Sequence, residues 1–182
     1  EVAKLLNEMV DAGVIGSYAV FGAVAQMRYT EAVATMGADI LVSIPGKGDL
    51  DILSPIYDFC RAKGYEPEGK AIRVGDWPVQ FIPSFSTLTN AAIQHAEDGD
   101  LDGIILRVVR ADYLAVLALS VGRAKDFARI LALREAGAVT NEQIKELVSN
   151  HGLIEAWNKF RSRFGAAPFT VVHRVLVQPA FL

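Results

Sequence analysis

A single cysteine, Cys60, stands in 182 residues, so no internal disulfide can form. It falls on the apolar side of a predicted helix, where a thiol is a buried, inert group rather than a nucleophile. Histidine is almost as scarce: His95, His151 and His173 lie far apart, without the short spacing of a zinc site. Long hydrophobic runs are also missing. The longest, residues 13–25, is closed by Gln26 and Arg28 and falls well short of the roughly 20 residues needed to span a bilayer. No basic stretch leads into an apolar one with a small-residue cleavage site, and a cytoplasmic protein is the expectation. Nor is there an excess of positive charge. The net charge of -3 argues against strong nonspecific nucleic-acid binding, with Arg161 and Arg163 as a local basic patch at most.

What the chain has in quantity is apolar side chain, 52% of residues with a mean hydropathy of +0.28. At this length that is enough for one real core, and the excess points to apolar surface covered by a second copy or a partner protein. Val2, Leu5, Leu6, Met9 and Val10 recur at helical spacing before Gly13, which predicts a helix over residues 2–12. Residues 18–29 read as a buried turn around Gly22 leading into a second helix. Ile40, Leu41, Val42 and Ile44 predict a core strand that starts at Asp39 and ends at Pro45 and Gly46.

Ser54 and Pro55 open a helix that Gly64 ends, with Ile56, Phe59 and Cys60 on one face. Residues 71–74 and 78–82 predict a hairpin turned at Gly75 and Asp76, followed by a helix over 86–96 and a strand over 103–109. The first 110 residues are therefore mixed α/β. From 111 to 164 the pattern is helical, with a capping box at Thr140 and Gln143 and a last helix carrying Ile154, Trp157, Phe160 and Phe164. Those aromatics could stack on bases, but their spacing marks core. Residues 165–182 form a β-prone tail whose Val171, Val172, Val175 and Val177 suit an edge strand, within this chain or on a neighbouring subunit.

Several stretches in this order resemble the nucleotidyltransferase superfamily, in particular small bacterial proteins of the abortive-infection type. They are YAVFGAVA at 18–25, TEAVATMGADILVSIP at 30–45, LSPIYDFCRAKGYEPEG at 53–69, PVQFIPSF at 78–85 and GRAKDFARIL at 122–131. The resemblance covers residues 1–164 and implies an α/β (α+β) fold, a mixed sheet flanked by helices with a helical C-terminal part. It also implies an NTP substrate, phosphates admitted at a glycine turn, and Mg²⁺ held by a D-x-D pair. Residues i and i+2 of a strand share one face, so two such carboxylates can flank one metal, and two metals can stabilise both the attacking and the leaving oxygen.

Placed on this chain, the D-x-D positions fall on Gly37 and Asp39, the turn on Phe21 and Gly22, and a third carboxylate position near Gln80. One metal ligand remains, Asp39. Gly22 is the phosphate-admitting glycine, and Arg123, Lys125 and Asp126 sit where relatives carry a charged cluster facing the nucleotide; a salt-bridged helix start is the equal alternative. Asp49 and Asp51 make a rival D-x-D beside Lys47, but Gly48 occupies the place of the Ser or Thr that a phosphate loop requires, so helix-start acids are the better account.

Two functions follow from the resemblance. One is transfer of a nucleoside monophosphate from an NTP to a hydroxyl acceptor with Mg²⁺, with Arg123 and Lys125 neutralising the leaving pyrophosphate. The other is a catalytically inactive relative acting as a binding or regulatory subunit, in a toxin and antitoxin type of pair. Gly37→Asp is expected to separate them by restoring the absent carboxylate.

Overall fold

The computed structural model describes residues 1–46 and 52–165. Its centre is a mixed sheet of seven strands in the order β3-β4-β5-β2-β1-β7-β6. These are β1 (Ser17–Phe21), β2 (Ala38–Ser43), β3 (Pro67–Glu68), β4 (Ala71–Val74), β5 (Trp77–Pro83), β6 (Glu97–Leu101) and β7 (Ile104–Val108). β2 runs antiparallel to β1 and parallel to β5, which sets Asp39 opposite Phe21 on one side and Gln80 on the other.

Two cores lie on the two faces of this sheet. Side chains alternate along a strand, so Ile40 and Val42 enter one core with Leu5, Leu6 and Met9 of α1 (Val2–Asp11) and Ile56 and Cys60 of α3 (Ser54–Ala62). Leu41 enters the other, shared with α4 (Thr87–Gln94), α5 (Ala111–Val121), α6 (Ala124–Glu135), α7 (Asn141–Asn150) and α8 (Ile154–Phe164). Asp39 has the parity of Leu41 and so belongs to this second face. α5 is buried from Ala111 through Leu119, as expected of a helix that is apolar all round and enclosed by other elements. The helical part and the sheet thus share one core.

Local chemistry accounts for the ends of these elements. In α7 the Thr140 side chain accepts from the Gln143 backbone N–H at 3.2 Å, and the Gln143 side chain accepts from Thr140 N–H at 2.8 Å. Ser86 and Thr89 cap α4 in the same reciprocal way. The expected 71–74 and 78–82 hairpin forms as β4 and β5, closing with Val74 opposite Trp77. Trp157 and Phe160 are buried and stacked with ring centroids 5.5 Å apart, so they belong to the core.

Three strands depart from the sequence expectation, the shortest being β3, which pairs with β4. The stretch read as a turn before a helix begins with β1, and only Gly22–Gln26 is helical, as α2. Tyr18, Ala19 and Val20 are buried on both faces of the sheet, so the polar alternation that marks a strand is absent. β6 is the acidic segment EDGDL, which has poor strand formers and exists by pairing with β7. Its signal was the Asp102–Gly103 pair, whose φ values of 53° and 79° give the two-residue hairpin turn that joins Leu101 to Ile104. The rival acids Asp49 and Asp51, with Lys47, and the tail beyond residue 165 lie outside the described residues. Among the described residues no helix is long and apolar enough to cross a membrane.

Candidate functional site

The site starts at the end of β1. Gly22 takes φ +69°, a left-handed conformation that a side chain disfavours, and this turns the chain sharply from β1 into α2. The turn also clears space. A Cβ on Gly22 would stand 2.5 Å from Oδ2 of Asp39, so the glycine lets the carboxylate lie against the backbone of the turn. Asp39 is half-buried and accepts no hydrogen bond among the described residues. Burial pushes its carboxyl above the usual range, with Arg129, Lys125 and Arg123 pulling it back.

The opposite wall is the start of α6, which Gly122 allows by ending α5 at φ +72°. Asp126 is almost wholly buried and accepts three hydrogen bonds from Arg123: from the backbone N–H at 3.2 Å, Nε at 2.7 Å and Nη2 at 3.3 Å. Burial works against the ionised form, but these hydrogen bonds and the adjacent guanidinium groups hold Asp126 below the ordinary carboxylate range. Arg129 lies 3.6 Å from Asp126, and its Nε donates to the buried Gln26 at 3.0 Å. Lys125 makes no hydrogen bond or close ion pair among the described residues.

Between these walls is a cleft of about 450 Å³ that brings together Gly22, Asp39, Gln80, Arg123, Lys125, Asp126 and Arg129. Its other half is apolar, lined by Phe21, Leu41, Ile82, Leu114, Leu117 and Val121. The sequence-predicted Gly22, Asp39, Arg123 and Lys125 therefore share one cavity. The two alternatives for Arg123 and Asp126 coexist, since the salt-bridged helix start itself lines the cleft.

Arg129 and Gln26 escaped the sequence reading. The signal for Arg129 was present, because it stands four residues after Lys125 and three after Asp126, on one helical face. Gln26 gave none; its pairing with Arg129 is purely tertiary.

Gly37 behaves differently from its sequence expectation. It precedes β2, and a Cβ built on it would stand 2.4 Å from the backbone carbonyl oxygen of Pro78. The position has no room for any side chain, so Gly37→Asp cannot restore a carboxylate without displacing β5. Gln80, the strand neighbour of Asp39, is neutral.

Solved structures share this architecture. The chain is similar to the solution structure of the antibiotic-resistance factor ANT(2'')-Ia, with 12% identity, a TM-score of 0.50 and 88% of this chain and 94% of that chain covered. It is also similar to an antigenic nucleotidyltransferase-like protein from Paracoccidioides brasiliensis, with 14% identity, a TM-score of 0.51 and 86% and 90% covered. The chain has a nucleotidyltransferase fold. No family profile matches the sequence, and neither does any curated protein.

A nucleotidyltransferase fold raises the question of magnesium, and the donors of this cleft answer it poorly. Among the described residues no group of three or more His, Cys, Asp and Glu side chains converges. Asp126 is committed to Arg123, which leaves Asp39 as the one uncommitted carboxylate of the cleft, facing Arg123, Lys125 and Arg129. A pair of Mg²⁺ ions needs bridging carboxylates, and three nearby cations oppose even one divalent ion. The residues present do not fit the metal pair.

Proposed function

We propose that this nucleotidyltransferase-fold chain binds a nucleotide in the cleft and acts as a binding or regulatory subunit, without metal-dependent nucleotidyl transfer. The observation that carries this reading is the imbalance of the cleft: one uncommitted carboxylate against three cations. Arg and Lys at the start of α6 suit phosphate oxygens, Arg as a planar fork and Lys as a mobile point charge. The apolar half offers a surface for the nucleoside. Transfer of a nucleoside monophosphate to a hydroxyl would ask Asp39 alone to do the work of a carboxylate pair, and loss of even an outer-shell partner of a metal site costs about 10- to 100-fold. The resemblance of its motifs to the abortive-infection type supports a role beside a partner, and a toxin and antitoxin pair is the setting we favour.

The test is thermal unfolding with each NTP, together with an assay for pyrophosphate release from NTP and Mg²⁺. A ligand at 100 times its Kd should stabilise the fold by about 2.7 kcal/mol, with no release above background. Steady Mg²⁺-dependent release that Asp39→Asn abolishes would restore the transferase reading. No stabilisation by any nucleotide, with or without Mg²⁺, would remove the nucleotide from the account.

A further inference from the structure

The charge arrangement of the cleft goes further than nucleotide binding in general. We infer that the cleft selects the metal-free form of a nucleoside polyphosphate, and that Asp39 limits its affinity instead of supplying it. This rests on the nucleotide-binding reading above and specifies the ionic form of the ligand.

Among the described residues two charged groups in the cleft are uncommitted, the Asp39 carboxylate and the Lys125 ammonium. Arg123 and Arg129 are held in place by Asp126, which neutralises one of the two positive charges but leaves guanidinium N–H groups unused. The formal sum over Asp39, Asp126, Arg123, Lys125 and Arg129 is then +1, since three cations oppose two carboxylates. An uncomplexed triphosphate carries more negative charge than its Mg²⁺ complex, so a net cationic cleft favours the uncomplexed form.

In a metal-dependent site the carboxylate on β2 attracts phosphate through the ion between them. Here no second carboxylate can join it, because Gly37 is walled by the Pro78 carbonyl and Gln80 is neutral. Asp39 therefore meets phosphate directly, as like charge against like charge. Lys125 is the counterpart: among the described residues its ammonium makes no hydrogen bond or close ion pair that a ligand would have to break, so its contribution to binding is not offset by one.

Isothermal titration with ATP, once in EDTA and once in excess MgCl₂, tests this on the intact chain and on Asp39→Asn and Lys125→Gln. Both substitutions preserve side-chain size, and neither breaks a hydrogen bond among the described residues. Binding should be tighter in EDTA than in Mg²⁺. In EDTA, Asp39→Asn should tighten it by about fivefold and Lys125→Gln should weaken it by about tenfold. Binding that requires Mg²⁺ and is lost in Asp39→Asn would overturn this inference while leaving nucleotide binding intact. Absence of binding in both buffers, by all three proteins, would overturn the nucleotide-binding reading and this inference with it.

Discussion

The two walls of the cleft are built from the same fold but do opposite electrostatic work. The sheet wall, with Asp39 beside the neutral Gln80, presents a single acid. The helical wall presents Arg123, Lys125 and Arg129, ordered around one buried acid, Asp126. In Asp126 the charge is matched: hydrogen bonds lower its proton affinity and the fold gains from its ionisation. In Asp39 it is not: burial raises its proton affinity, and ionisation at neutral pH is a stability cost. A residue that the fold would be more stable without is a candidate for function, whereas one that the fold depends on is a candidate for architecture.

Substitutions can sharpen or break that contrast. The largest effect is expected from Gly37→Asp, which forces a side chain into the Pro78 carbonyl and should destabilise by about 3 kcal/mol in urea unfolding, with no gain in Mg²⁺ binding. Next comes Asp126→Ala, which removes the acceptor of three Arg123 hydrogen bonds and should cost about 2 kcal/mol by the same measurement. The stability due to Asp126 should be present above the ordinary carboxylate range and lost as pH falls through its depressed folded value, so the difference between wild type and Asp126→Ala should shrink in acid.

Gly22→Ala combines a positive φ with a 2.5 Å approach to Asp39, and should cost about 1–2 kcal/mol. Removing the Asp39 side chain in the same protein should recover part of that loss, which a double-mutant cycle would read. The smallest effect has the opposite sign. Asp39→Asn should raise Tm slightly at neutral pH, because the folded state no longer has to desolvate a charge. A fall in Tm would mean that Asp39 has a structural partner and that the two walls are less different than described.

Much of this cleft was legible in the order of short motifs. Gly22, Asp39, Arg123 and Lys125 come from distant parts of the sequence, and each was named by the neighbours it keeps in the chain before the fold brought them together. The expectation for Gly37 went astray for a physical reason. The period-two rule places residues 37 and 39 on one face, but whether a side chain fits there depends on the Pro78 carbonyl of the adjacent strand, which local sequence does not disclose. The same limit hid Gln26, whose partner Arg129 is tertiary. Arg129 and the β6–β7 turn differ, since helical spacing and an Asp-Gly pair carried both signals in plain sequence.

We propose that the sheet wall holds no metal. Water-proton relaxation with Mn²⁺, titrated into the protein with and without Asp39→Asn, measures this without relying on activity. The account predicts weak binding that does not saturate and is the same in both proteins. A saturable Mn²⁺ site that disappears in Asp39→Asn would contradict it and return the cleft to the metal-dependent transferases.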